Sequence, residues 1–260
     1  MHYLVIEGQQ KLSGSVVISG AKNAALPLLT LTLLSNRPVK ITNIPEVADV
    51  KTLLQLLKNL GASFSLENNT ALVDSTTVNS TCANYDIVRK MRASILTLGP
   101  LLARFGHCEV SFPGGCASGQ RPIDLHLKAL EQMGAEIEIQ QGYVIAKAPQ
   151  GLQGATIIFD KVTVTGSENI IMAAALYDGE VTIRNASPNY MVQDVCFFLQ
   201  KLGVKIDGIG TTTLKIHGIK SINKNVEYYP SEDPIEAMSF VAAGVVTGSE
   251  ITVKRVPIEF

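Results

Sequence analysis

No CxxC pair, no paired-histidine spacing and no basic leader with a small-residue cleavage site occurs in this chain of 260 residues. Its four cysteines, Cys82, Cys108, Cys116 and Cys196, are scattered singly. A zinc site is therefore not expected, and a chain of this size does not need a disulfide framework. A reducing cytoplasm fits both observations. Net charge is only −1, with 17% charged residues. That balance offers no basic surface to nucleic acid or to an anionic membrane. The longest apolar-rich run, Ala24 to Leu34, is too short to span a bilayer and is interrupted by Pro27. What remains is an ordinary globular composition, 46% hydrophobic, able to bury one large core or two smaller ones. The opening residues, Met1 to Glu7, read as a strand.

Three stretches end alike: Leu60-Gly61-Ala62, Met133-Gly134-Ala135 and Leu202-Gly203-Val204. Counting back from each glycine gives one apolar helical stripe written three times. It runs Val50, Leu54, Leu57, Leu60; then Ile123, Leu127, Leu130, Met133; then Val192, Cys196, Leu199, Leu202. Each glycine suits the left-handed position just past a helix end. Upstream, each unit has a small, apolar first helix, at 24–34, 93–103 and 170–176. A turn near Asn36, Gly106 or Gly179 and a strand at 39–42, 109–112 or 181–184 follow it. The period is 73 and then 69 residues between glycines, long enough for one supersecondary unit repeated around a shared core. A fourth unit begins at Ile235, with a helix, a turn at Gly248 and a strand at 251–254, and stops at Phe260 before its second helix. A half-unit cannot close its core, so this chain is expected to be the front part of a longer protein.

Chemistry concentrates in Phe112-Pro113-Gly114-Gly115-Cys116-Ala117-Ser118-Gly119-Gln120-Arg121-Pro122, a glycine-rich loop between a strand and a helix. Free cysteines are usually buried hydrophobes. Cys116 sits instead among glycines, near Arg121 and His126, and a cationic neighbourhood lowers a thiol pKa. Cys108, in a strand, and Cys196, on a core-facing helical position, read as structural. A second pattern lies at the starts of the first helices: Lys22-Asn23, Met91-Arg92 and Thr165-Gly166-Ser167. If the units are pseudo-symmetric, these starts point the same way. Helix starts carry unpaired N–H groups and partial positive charge, and Lys22 and Arg92 add to an anion site.

These segments resemble the UDP-N-acetylglucosamine enolpyruvyltransferases. The resemblance is carried by Ile18-Ser19-Gly20-Ala21-Lys22-Asn23-Ala24-Ala25-Leu26-Pro27, by Tyr85-Asp86 to Met91-Arg92-Ala93-Ser94, by the Cys116 loop and by Asp160-Lys161-Val162. It covers the whole chain but about three-fifths of a typical member. The resemblance implies an α/β fold of repeated βαβαββ units in an inside-out barrel, helices inside and sheets outside. Residues 21–229 would form one complete lobe, and 1–20 with 230–260 an incomplete part of a second. It implies transfer of the enolpyruvyl group of phosphoenolpyruvate to the 3-hydroxyl of UDP-N-acetylglucosamine, without metal or cofactor, as the first committed step of peptidoglycan synthesis. Cys116 would be the general acid. Lys22, Asn23, Arg92 and Arg121 would bind phosphoenolpyruvate. Asn23, Arg92, Arg121, Pro122, Ile123, Asp124, Leu125, Lys161, Thr163 and Val164 would bind the nucleotide sugar. Two departures stand out: Thr165 where the family commonly has glycine, and Pro234 after Asp233. The family's general base, an aspartate, lies beyond the residues matched, so the chain is expected to be inactive alone and to self-associate through its last unit. A non-catalytic nucleotide-sugar binding module is the alternative. A cysteine hydrolase would need a histidine base, for which His126 is the only local candidate.

Overall fold

The structure, a computed structural model, describes residues 3–5, 7–88, 91–112 and 123–259. In chain order the elements are β1 (Ser13–Val17), α1 (Lys22–Leu31), β2 (Val39–Ile41), α2 (Ala48–Asn59), β3 (Ser63–Glu67), β4 (Thr70–Asp74), β5 (Cys82–Ala83), α3 (Tyr85–Val88) and α4 (Leu98–Phe105). Then come β6 (His107–Ser111), α5 (Asp124–Gln132), β7 (Glu136–Gln140), β8 (Tyr143–Lys147), β9 (Thr156–Thr163), α6 (Val164–Ala174), β10 (Glu180–Ala186) and α7 (Tyr190–Leu202). The last are β11 (Lys205–Asp207), β12 (Thr213–His217), β13 (Val226–Tyr228), α8 (Pro234–Thr247) and β14 (Glu250–Lys254). Short 3-10 helices, Thr32–Leu34 and Arg92–Thr97, extend α1 and lead into α4.

Three four-stranded sheets follow one plan: β13-β2-β4-β3, β5-β6-β8-β7 and β9-β10-β12-β11. Each opens with a parallel pair and continues into an antiparallel hairpin. The first unit takes its leading strand from far along the chain, since Val226–Tyr228 lies parallel to Val39–Ile41. The sheets are outside, with alternate residues exposed, and the first helices form the centre. Every residue of α1 from Ala24 to Leu31 is buried, and so is every residue of α6 from Gly166 to Ala174. Helices this apolar can only sit inside. The amphipathic α2, α5 and α7 present the predicted stripe to this core. Only Leu127 of its twelve positions is half-buried, and the others are buried. Gly61, Gly134 and Gly203 take φ of +105°, +88° and +108°, the left-handed closure that a side chain would strain.

Three expectations are corrected. Tyr3 to Val5 are irregular and highly exposed, not part of a strand. Among the described residues the first strand is Ser13–Val17, parallel to β14. The second unit's first helix is split, a 3-10 segment before α4. Pro100 has no N–H to give the carbonyl four residues back, so regular helix begins only just before it. In the third unit the helix starts at Val164, so Thr165 to Ser167 lie inside its first turns and not before it. Thr163 ends β9 and caps α6 directly, its Oγ1 accepting from the Gly166 N–H at 3.2 Å.

Candidate functional site

The three helix starts line one cavity of about 360 Å³. Lys22 and Asn23 come from α1, Met91, Arg92 and Ala93 from the 3-10 segment before α4, and Val164, Thr165 and Glu168 from α6. Leu26, Pro27, Leu96 and Met191 give it apolar lining, and Asp49 of α2 sits at its rim. The repeat explains the convergence: equivalent first helices packed at the centre bring equivalent ends to one face.

Charge is distributed unequally over this surface. Lys22 Nζ lies 2.8 Å from Asp49 Oδ2, both side chains 39% exposed. A partly exposed pair of this kind is worth little in stability, and Lys22 can turn to a ligand at small cost. Glu168 is different, with 1% exposure and a carboxyl pushed well above the ordinary range by burial. Burial thus favours its neutral form. Lys22 and Arg92 against Asp49 then leave one net positive charge among the described lining residues.

Behind Thr165 stands a buried polar wall. Asn169 of α6 is fully buried. Its Oδ1 accepts from the Gly99 N–H at 2.7 Å, and its Nδ2 donates to the Ile95 carbonyl at 3.2 Å and to His126 Nδ1 at 3.0 Å. Because Nδ1 accepts, the ring proton of His126 is on Nε2, which donates to Thr165 Oγ1 at 3.3 Å. Burial first, and the Arg92 charge second, push His126 down to about 4. The ring is neutral, with both nitrogens taken. That leaves no nitrogen to serve a thiol as base, so the hydrolase reading gains no support from His126. The threonine at the position where the resemblance expects glycine is thereby explained: its hydroxyl receives the histidine.

The residues singled out from sequence divide into three groups. Lys22, Asn23, Arg92 and Val164 line the cavity. Ile123 and Leu125 are buried, and Asp124 opens α5. Thr163 is occupied as a helix cap, and Lys161 is exposed on β9; none of these five lines the cavity. Cys116, Arg121 and Pro122 lie outside the described residues. Asp233, to which no role was given, accepts from the Ile235 N–H at 2.8 Å and caps α8, with Pro234 in the first turn. Sequence reasoning missed Glu168, Asn169 and Asp49, and took His126 for no more than a possible base. A glutamate inside an otherwise apolar helix was the available signal for Glu168.

A three-unit α/β lobe with a cationic cavity at its converging helix starts defines the enolpyruvyl transferase fold. The enolpyruvyl transferase NikO from Streptomyces tendae superposes with a TM-score of 0.81 at 24% identity, over 92% of this chain and 56% of that one. An EPSP synthase from Acinetobacter baumannii gives 0.73 at 18% identity, over 95% and 56%. The chain belongs to the family of EPSP synthase (3-phosphoshikimate 1-carboxyvinyltransferase), whose sequence model matches residues 6–260. Within it, the chain is a homologue of proteins named UDP-N-acetylglucosamine 1-carboxyvinyltransferase. The one from Campylobacter fetus is 59% identical over 260 residues, 98% of this chain and 61% of that protein. One from Nitratiruptor is 56% identical over 259 residues, again 98% and 61%. The chain thus spans about three-fifths of the length of the curated relatives it matches. No helix among the described residues is long and apolar enough to cross a membrane.

Proposed function

We propose that this chain carries the nucleotide-sugar and phosphoenolpyruvate wall of a cytoplasmic transferase that moves the enolpyruvyl group onto the 3-hydroxyl of UDP-N-acetylglucosamine, in peptidoglycan synthesis. The observation that carries the reading is the joining of Lys22, Asn23, Arg92 and Val164 in one cavity. The carbon of the enol double bond must be protonated before its neighbour can accept a hydroxyl. Cys116 supplies that proton, Lys22, Asn23, Arg92 and Arg121 hold the phosphate and carboxylate, and residues 121–125 with Lys161, Thr163 and Val164 hold the uridine diphosphate. Because Thr163 Oγ1 already caps α6, its part is played through the backbone. Residues 21–229 act as one lobe. The 260 residues alone bind the nucleotide sugar without turning it over, since the proposed reaction belongs to relatives of which this chain spans about three-fifths.

Calorimetry with UDP-N-acetylglucosamine tests this on the chain itself, comparing wild type with Lys22→Ala and Arg121→Ala. Each substitution is expected to weaken binding about tenfold or more, the scale of one hydrogen bond to a charged group. Binding that is intact and equal in all three would remove these residues from the site. Phosphate release from phosphoenolpyruvate, at a rate comparable with the longer relatives, would overturn the inactivity of the chain alone.

A further inference from the structure

Glu168 has no part in the reading above, yet it lines the same cavity with 1% exposure. We propose that Glu168 is a ligand-binding residue, whose carboxyl group donates a hydrogen bond to an oxygen of the phosphorylated ligand that the cationic rim draws in. The proposal rests on the anion-binding reading of the cavity. Its ground is first geometric. Oε1 of Glu168 is buried and has no hydrogen-bond partner among the described residues. One residue further along, Asn169 has its amide bonded to three groups on three other elements. The same helix therefore satisfies Asn169 fully and leaves Oε1 of Glu168, a residue of the cavity lining, without a partner. A buried polar atom without a partner is disfavoured by the cost of losing water, so an unused one at a cavity wall is most simply matched by what enters the cavity.

Electrostatics fixes what Glu168 can offer. An ionised carboxylate there would cancel the one net positive charge and repel an anion. Burial favours the protonated form, and a protonated carboxyl supplies one O–H donor. A carboxylic acid held neutral in an apolar site serves as a strong donor to a developing or bound anion. The side chains beside it, Leu26, Pro27, Leu96 and Met191, are weakly polar or apolar, and a low local dielectric strengthens such a bond.

The test uses inorganic phosphate as probe, with wild type, Glu168→Gln and Glu168→Leu. Infrared difference spectra at neutral pH should show a protonated-carboxyl band that Glu168→Gln removes, and phosphate should shift that band in the wild type. NMR titration with phosphate should give Glu168→Gln, which keeps a donor, within about threefold of wild type, and Glu168→Leu about tenfold weaker. Wild-type binding with an unshifted band and equal affinity for Glu168→Leu overturns the role of Glu168 while leaving the cavity as an anion site. A wild type that does not bind phosphate overturns the cavity reading and the proposal with it. The band shift is read on the wild type, so it decides the matter even if Glu168→Leu does not fold.

Discussion

At the scale of single residues, reactivity follows from which side chains the fold has desolvated. Burial raises the thiols of Cys108 and Cys196 to about 12, with the Glu109 charge a lesser cause for Cys108. Cys82 is half-buried and also raised, again chiefly by burial. Thiolate is the attacking species, so all three are slow at neutral pH. Cys116, in its glycine loop near Arg121, is expected to take label first when the native chain meets iodoacetamide at pH 7. Peptide mapping at partial labelling checks this, and preferential labelling of Cys82 would remove the grounds for a tuned Cys116. For Cys116 the sequence gives an expectation, drawn from its place among glycines, and the residue lies outside the described ones. For Glu168 it gives none: a single polar letter inside an apolar helix does not say whether a partner waits across the packing, and only the structure shows Oε1 without one.

At the scale of elements, the wall of α5, α6 and the segment around Ile95 to Gly99 is held by a neutral histidine, and this gives it a pH signature. His126 falls from 6.5 in the unfolded chain to about 4 in the folded one. A depressed base favours the fold while neutral, so its contribution is complete above pH 6.5 and is lost as pH falls toward 4. Each pKa unit is worth 1.36 kcal/mol, so the loss is about 3 kcal/mol. Glu168 and Asp194 act oppositely: both are raised by burial, and their contribution declines as pH rises above their unfolded values. The histidine is therefore read by difference. Urea unfolding of wild type and His126→Gln from pH 7 to pH 4 should show wild type losing about 3 kcal/mol relative to the variant, whose amide can bridge Asn169 and Thr165 without titrating. Parallel curves would mean that the ring is charged or solvated in the fold. Gly99 shows how tight this wall is, since a Cβ there would run into Asn169. The elements themselves were largely readable in the sequence, because a stripe that recurs with its closing glycine is a local pattern. The wall was not, because His126 and Asn169 are 43 residues apart and meet only after two units have packed. Nor was the start of α6, where Thr163 turns a strand straight into a helix with no loop residues to mark the boundary.

At the scale of the whole molecule, the three-unit body and the segment after it differ in how well they are covered. The body is tied off at its exit. Asp194 of α7 accepts from the Tyr228 hydroxyl at 2.7 Å and the Ser231 N–H at 3.1 Å, and Tyr228 stacks on Phe198 with ring centres 4.8 Å apart. Beyond that clamp, α8 buries only Ala237 and Gly244 along 14 residues. Its Ile235, Met238, Val245 and Val246 are 60%, 61%, 76% and 85% exposed. It packs on β14, whose strand partner is β1 in a two-stranded sheet, a unit with little stability of its own. Contiguous exposed apolar surface on such a helix favours association. The chain is therefore expected to show a molar mass that rises with concentration in light scattering. A Met238→Glu, Val245→Lys double variant should remain monomeric while the body's main melting transition stays within a degree or two, because neither side chain touches its core. Backbone amides of α8 should also exchange with solvent before those of α7, whose stripe is buried to Leu202. A wild-type chain that is monomeric at every concentration, with α8 as protected as α7, would show that this apolar face is stable in water as it stands.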